Sequence, residues 1–342
     1  MALPRSSQKP LSEIHDVALL DLDGVVYLGG AAVPGAAKAL TEARHRGMRL
    51  AFVTNNASRT PSAIAAQLNR LGVPGEAAEV VTSAQAAARL LAERLPAGAP
   101  VLVVGGMGLR IAVRERGLRP VSTALDRPAA VVQGYGPGID YALLAEGGLA
   151  VRAGAWFVAS NADLTLPTAR GLQPGNGSLV QVIATATGEH PVVAGKPEPP
   201  LHAEAVERTG AKRPLVVGDR LDTDIEGAVR VGADSLLVFT GVSQPADAVL
   251  APAHRRPSYL AHDLSGLLQP QPEVCADGSG KFRCGGWTAR LTDGTGGPDR
   301  LEIDGSGAAI DGLRALCGAA WSAGTVSADS VRAAVGRLPL PG

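Results

Sequence analysis

Seven short apolar runs punctuate the chain: Val17–Leu20, Leu50–Thr54, Val101–Val104, Ala130–Val132, Trp156–Ala159, Leu215–Val217 and Leu236–Phe239. Between them lie Ala- and Leu-rich segments of helical character, among them Ala36–Arg46, Ser62–Leu71, Ala84–Leu95, Leu109–Glu115 and Leu201–Arg208. Strand followed by helix, repeated, leaves few topologies open, because parallel strands need a crossover and a helix supplies it. The runs are continuously apolar rather than alternating, as expected where both faces of a sheet are covered. The predicted fold class is α/β with a mainly parallel sheet.

Several runs end in polar or glycine-rich punctuation, and open α/β sheets place their chemistry beyond the carboxyl ends of the strands. The first run ends in Asp21-Leu22-Asp23-Gly24. Two carboxylates at i and i+2 start on the same side of a strand. Buried without a partner they are costly, so they call for a metal, a cation or water. A nucleophile beside a general acid/base is the functional reading, since carboxylates can form aspartyl-phosphates; a solvent-facing strand end is the alternative. The second run ends in Thr54-Asn55-Asn56, donors that suit a phosphate at a strand-to-helix turn and that suit ordinary N-capping equally well. Lys196, one of only five lysines, is flanked by Gly195 and Pro197. It reads either as a pinned phosphoryl-neutralising ammonium or as a solvated loop lysine. Gly218-Asp219 ends another run and leads through Asp222 and Asp224 into a helix. Hard oxygen ligands there suit Mg²⁺, although Asp224 also fits as an N-terminal helix acid. Together the four clusters hold what Mg²⁺-assisted phosphoryl transfer to a carboxylate needs.

This motif set resembles the haloacid dehalogenase superfamily of phosphatases, and more closely its NagD-like branch. Asp21-Leu22-Asp23-Gly24-Val25-Val26 matches the DxDG nucleophile motif, Thr54 the second motif, Lys196 the third, and Gly218-Asp219 with Asp224 the fourth. The resemblance covers roughly residues 12–268 and shows no departure at these positions. It implies a Rossmann-like core over 12–82 and 189–268 with an inserted α/β cap over 83–188; the 141 residues between Thr54 and Lys196 accommodate that cap. It also implies roles. Asp21 attacks phosphorus and Asp23 shuttles the proton. Mg²⁺ touches the Asp21 carboxylate, the Asp23 carbonyl and the Asp219 carboxylate. Thr54, the Asn55 backbone and Lys196 hold the phosphoryl oxygens, and Asp224 orients Lys196 or a metal-bound water.

Substrate choice is expected from the cap loop Asn161–Pro167, with Asp163 and Leu166 as its specificity residues. In related phosphatases the residue before the proline approaches the leaving group, and here it is Leu166. With aromatics at only 3% of the chain, no stacking platform for a pyridine or nucleobase stands out. A small aliphatic ester is expected, glycerol 3-phosphate first and phosphoglycolate second; Leu166 packing into the cap core is the competing reading. Gly105-Gly106-x-Gly108 lacks complete dinucleotide-binding spacing and reads as a tight strand-to-helix turn.

Beyond QPQPE at 269–273, composition turns Gly- and Asp-rich over Ala276–Gly307. Residues 271–342 read as a small appended α+β module: short strands at Phe282–Cys284, Trp287–Leu291 and Arg300–Ile303, a loop at Gly294–Gly297, and helices at Ile310–Ala320 and Ala328–Gly336 with Ser327 as N-cap. It faintly resembles a fragment of an acyltransferase-like domain without an evident pyrophosphate loop. A regulatory or structural appendage is expected. The 32 basic and 32 acidic residues balance, which gives no electrostatic footprint for nucleic acid or an anionic membrane. No signal-peptide pattern or membrane-length apolar run is seen, and three cysteines lack metal-ligand spacing, so a cytoplasmic enzyme is expected. The resemblance leaves room for a homodimer through the cap. The rival readings are a catalytically silent sensor of a phosphometabolite, and another phosphoryl-transfer reaction on the same scaffold.

Overall fold

The computed structural model describes residues 3–168, 170–292, 299–323 and 325–340. Its contacts divide the chain into two compact units, Met1–Leu28 with Ala32–Leu50 and Ala211–Gly342, and Gly29–Ala31 with Ala51–Gly210. In the first unit four parallel strands run in the order Tyr259–Ala261, Asp234–Val238, Pro214–Gly218 and Val17–Leu20. Val17–Leu20 is buried at every position, as an unalternating apolar run demands. The fold is α/β with a parallel, Rossmann-like core.

The strand Arg49–Thr54 carries the chain from the first unit into the second, where it pairs in parallel with Val80–Thr82. A second parallel sheet follows, ordered Val192–Val193, Trp156–Ala159, Ala130–Gln133, Pro100–Val104 and Arg119–Val121. The two helices Tyr141–Arg152 and Asn176–Thr187 escape a reading by propensity. The first contains Gly147 and Gly148, and the second is rich in Val, Ile and Thr, which favour strands. Packing overrides both. A Cβ at Gly147 would stand 2.8 Å from Ile183 and 2.9 Å from Val104, so the missing side chain lets the helix close onto the sheet. The glycines at 105–108 form the strand-to-helix turn, with Gly106 capping Met107–Glu115.

The first unit also holds an antiparallel sheet of Cys275–Ala276, Lys281–Cys284, Trp287–Thr292 and Arg300–Gly305, packed by the helices Ala309–Ser322 and Ala328–Val335. The expected N-cap forms: Ser327 accepts from the Ser330 amide. The expected loop at Gly294–Gly297 lies outside the described residues. Apolar side chains of this sheet and its helices, including Phe282, Trp287, Leu313, Leu316 and Trp321, belong to one continuous core with Leu221, Ile225, Leu237 and Ala248. A segment of about 70 residues, marginal by itself, thus packs on the parallel-sheet core. Among the described residues no helix is long and apolar enough to cross a membrane.

Candidate active site

In the first unit the strand Val17–Leu20 stops one residue short of Asp21. Asp21 and Asp23 therefore lie on the turn beyond the strand, and strand alternation does not set their directions: Asp21 is half-buried and Asp23 exposed. The Asp21 amide donates to the Val217 carbonyl at 2.8 Å, which ties the turn to the neighbouring strand. Gly24 follows with φ +83°, and a Cβ there would stand 2.5 Å from an Asp219 carboxylate oxygen. The glycine of the motif is thus required twice, for its left-handed backbone and for the close approach of Asp219.

Asp219 is wholly buried at the end of Pro214–Gly218. Its Oδ2 accepts from the Val242 amide at 2.7 Å and its carbonyl from the Ser243 amide at 3.0 Å. Asp224, also buried, sits in the irregular turn Leu221–Ile225, where its Oδ2 accepts from the Arg220 amide at 3.2 Å. Arg220 itself forks onto Asp222 at 3.0 and 2.9 Å. Burial pushes the Asp222 carboxyl up, but the Arg220 hydrogen bonds and charge outweigh it and hold that group below the usual range. Oxygens of Asp21, Asp219 and Asp224 all lie within 4.8 Å of one another. Carboxylates this close repel one another, and burial strengthens the repulsion. A divalent cation among them offsets both effects, and an all-oxygen, acidic donor set suits Mg²⁺. The residues present therefore fit the metal. Asp224 belongs to the carboxylate cluster itself, while the Asp23 side chain does not.

In the second unit Thr54 ends the strand Arg49–Thr54 and its Oγ1 accepts from the Asn56 amide at 3.1 Å. Asn55 joins three segments. Its Oδ1 accepts from the Lys196 amide at 2.8 Å, and its Nδ2 donates to the Lys196 carbonyl at 3.1 Å and to both Asp163 oxygens at 3.2 Å. The Asn161 amide donates to the Asn55 carbonyl at 2.7 Å. Lys196 is buried, with Nζ 3.3 Å from the Val53 carbonyl, so it is not a solvated loop lysine. Gly195 admits this knot, since a Cβ there would stand 2.6 Å from Asn55 Oδ1. Leu166 lies in the hairpin Thr165–Thr168/Gly171–Pro174, half-buried and in register with Gln173.

Three features escaped the sequence reading. The loop Thr240–Ser243 follows an apolar strand, the same signal that marked the other motifs; Thr240 donates to the Gly24 carbonyl, and Ser243 Oγ accepts from the Leu221 amide at 3.2 Å. The anchoring of Asn55 by Asn161 is the second, since the sequence reading placed Asn161 in the cap loop without that role. His202, on the helix Pro199–Thr209, is fully buried with neither ring nitrogen hydrogen-bonded among the described residues. Burial, and after it the Lys196 charge, push its pKa down to about 3.

The family model for haloacid dehalogenase-like hydrolases matches residues 18–119, a second hydrolase model of that kind matches 193–267, and a model for a GCN5-related N-acetyltransferase-like domain matches 284–339. The chain is 48% identical over 317 residues to D-glycerol 3-phosphate phosphatase of Mycobacterium tuberculosis, covering 92% of this chain and 88% of that one. It is 37% identical over 253 residues to an acid sugar phosphatase of Staphylococcus saprophyticus, covering 73% and 96%. A crystal structure of the Mycobacterium tuberculosis glycerol phosphate phosphatase in complex with magnesium superposes with TM-score 0.86 at 44% identity, covering 98% of this chain and 100% of that one. A p-nitrophenyl phosphatase from Archaeoglobus fulgidus gives TM-score 0.69 at 27% identity, covering 74% and 98%.

Proposed function

Because the chain belongs to the haloacid dehalogenase-like hydrolases, we propose that it is a Mg²⁺-dependent phosphatase of glycerol 3-phosphate working through an aspartyl-phosphate. The observation that carries this reading is the carboxylate trio of half-buried Asp21 and buried Asp219 and Asp224, with Gly24 and the Thr240–Ser243 loop closed around Asp219. The relative at 48% identity supports the choice of substrate.

Asp21 attacks phosphorus as the nucleophile. Asp23, exposed on the turn beyond the strand, protonates the leaving alkoxide and then takes a proton from the hydrolytic water, one group serving as acid and then as base. Thr54, the Asn55 backbone and Lys196 bind the phosphoryl oxygens. The Asn55 side chain fixes Lys196 by its own backbone, so the ammonium is placed before substrate arrives, which favours electrostatic stabilisation of the developing charge. The Asp21 carboxylate, the Asp23 carbonyl and the Asp219 carboxylate would hold Mg²⁺, with Asp224 beside them. When bound, the metal neutralises charge so that carboxylate and phosphate can approach.

The domain proposal is a core of 12–82 and 189–268, a cap of 83–188 and a module of 271–342. Selection of the leaving group is assigned to Asp163 and Leu166 in the cap. Exposed Leu125, Tyr141, Leu149 and Leu172 support a homodimer through that cap, and a cytoplasmic location completes the proposal.

The test is phosphate release from glycerol 3-phosphate, phosphoglycolate, pyridoxal phosphate and a nucleoside monophosphate, with Mg²⁺ and with a chelator. Chelator-sensitive turnover led by glycerol 3-phosphate is expected. Another leading ester would keep the mechanism and overturn the substrate; no turnover on any ester would transfer the argument to a phosphometabolite sensor.

A further inference from the structure

The Thr240–Ser243 loop leads directly into the short helix Pro245–Val249. That helix is gripped from the C-terminal segment. Trp321, buried near the end of the helix Ala309–Ser322, donates its indole N–H to the Ala248 carbonyl at 3.1 Å. Arg256 closes the grip: it donates to the Trp321 carbonyl at 3.2 Å and to the Ala251 carbonyl at 3.1 Å, and its guanidinium stands 5.4 Å from the Trp321 ring. Ala248, Val249, Trp321, Leu316 and Val331 share one apolar core. One continuous path of hydrogen bonds and packed side chains therefore runs from the C-terminal segment to the amide that holds Asp219.

We propose that the C-terminal segment sets the Mg²⁺ affinity of the phosphatase site, with Trp321 and Arg256 as positioning residues that brace the Thr240–Ser243 loop against Asp219. The inference rests on the reading of Asp219 as a metal ligand. Its physical basis is order. The Val242 amide reaches Asp219 Oδ2 only while the loop keeps its course, and Gly241 lies so close to Asp219 that a Cβ there would collide with the carboxylate. A loop freed at Pro245–Val249 loses that fixed placement, and the carboxylate must then be ordered by the metal itself, at the expense of affinity. Coupling of this kind is reciprocal: Mg²⁺ bound at Asp219 must tighten the C-terminal helix by the same factor.

The experiment is calorimetric titration of the metal-free full chain with Mg²⁺, together with hydrogen exchange over 309–322 with and without the ion. Trp321→Phe keeps a ring in the core and loses the donor; Arg256→Gln loosens the same contact from the other side; Arg290→Ala, at an exposed pair with Glu302 on the C-terminal antiparallel sheet, is the control. Both bracing variants should raise the Mg²⁺ dissociation constant by about fivefold or more, the lower end of ordinary coupling between sites. The control should not change it, and Mg²⁺ should slow exchange over 309–322 in the wild type. Unchanged affinity in folded bracing variants overturns the proposal. If neither variant folds, exchange over 309–322 that ignores Mg²⁺ overturns it instead. Wild-type chain that binds Mg²⁺ yet hydrolyses no ester would sink the phosphatase reading while leaving these binding measurements decisive; wild-type chain that binds no Mg²⁺ overturns both.

Discussion

His202 gives the sharpest energetic prediction. It is a fully buried imidazole with no hydrogen-bond partner among the described residues, and the charge of Lys196 opposes its protonation. Its pKa falls from 6.5 to about 3 on folding. Above pH 6.5 the ring is neutral in both states and contributes no pH dependence. Below it the unfolded chain takes up a proton that the folded chain refuses, so stability falls with pH until the folded pKa is reached. Each pKa unit corresponds to about 1.4 kcal/mol. At pH 5, one and a half units below the unfolded value, the loss is about 2 kcal/mol, a large part of an ordinary stability. His202→Phe removes the group. Any strain from the larger ring is the same at both pH values and cancels in the difference. Urea unfolding in chelator at pH 7.5 and pH 5.0, on wild type and variant, isolates the effect, since Asp16, Asp222, Glu226 and His15 titrate alike in both proteins. The variant should gain about 2 kcal/mol over wild type between the two pH values. Parallel pH profiles would refute the argument that the ring is held neutral by burial.

Four further outcomes are expected. Asp21→Asn should reduce turnover by about four orders of magnitude or more, as loss of a nucleophile does, with the circular dichroism spectrum and part of the Mg²⁺ binding retained. Gly24→Ala combines a left-handed backbone with a Cβ 2.5 Å from Asp219; kcat/KM should fall by about a hundredfold, the scale of a misplacement near one ångström, measured as phosphate release. Glu204 is a buried carboxylate joining Arg89, Arg116 and Arg208 at 3.4, 2.8 and 2.6 Å. Those arginines are 25, 39 and 26% exposed, so solvent screening discounts the usual penalty of a broken buried pair and Glu204→Ala should cost about 2–3 kcal/mol in urea unfolding. Leu166→His should change the ranking of phosphate esters more than the rate on p-nitrophenyl phosphate; an unchanged ranking would remove Leu166 from substrate selection.

How much of this was legible in the sequence follows from how local each signal is. Val17–Leu20 and Trp156–Ala159 could be read residue for residue, because a strand covered on both faces writes its burial into consecutive apolar positions. Asp21, Thr54 and Asp219 could be picked out as candidates because each stands at the end of such a run, whereas Lys196 stood out as one of five lysines, set between Gly195 and Pro197. Tyr141–Arg152 and Asn176–Thr187 were not, since their glycines and β-branched residues answer to neighbours far away in sequence. The strand end at Leu20 matters more than its one-residue size suggests. It moves Asp21 and Asp23 from a pleated strand onto a turn, so one acid can be half-buried and the other open to solvent.

The same distinction separates the reacting groups from what holds them. Asp219 announces itself by its place after Gly218, but the amides that fix it belong to Val242 and Ser243, and the helix behind them leans on Trp321. Nothing in the local sequence of any of these residues encodes the others. Gly24 and Gly241 show why the arrangement tolerates so little change: both leave room for one buried carboxylate, and a methyl group on either would occupy its place. Interiors this closely packed transmit a displacement rather than absorb it. A substitution at Trp321 should therefore be felt at Asp219 although the two residues lie at opposite ends of the path, and the strength of that coupling is what the Mg²⁺ titrations measure.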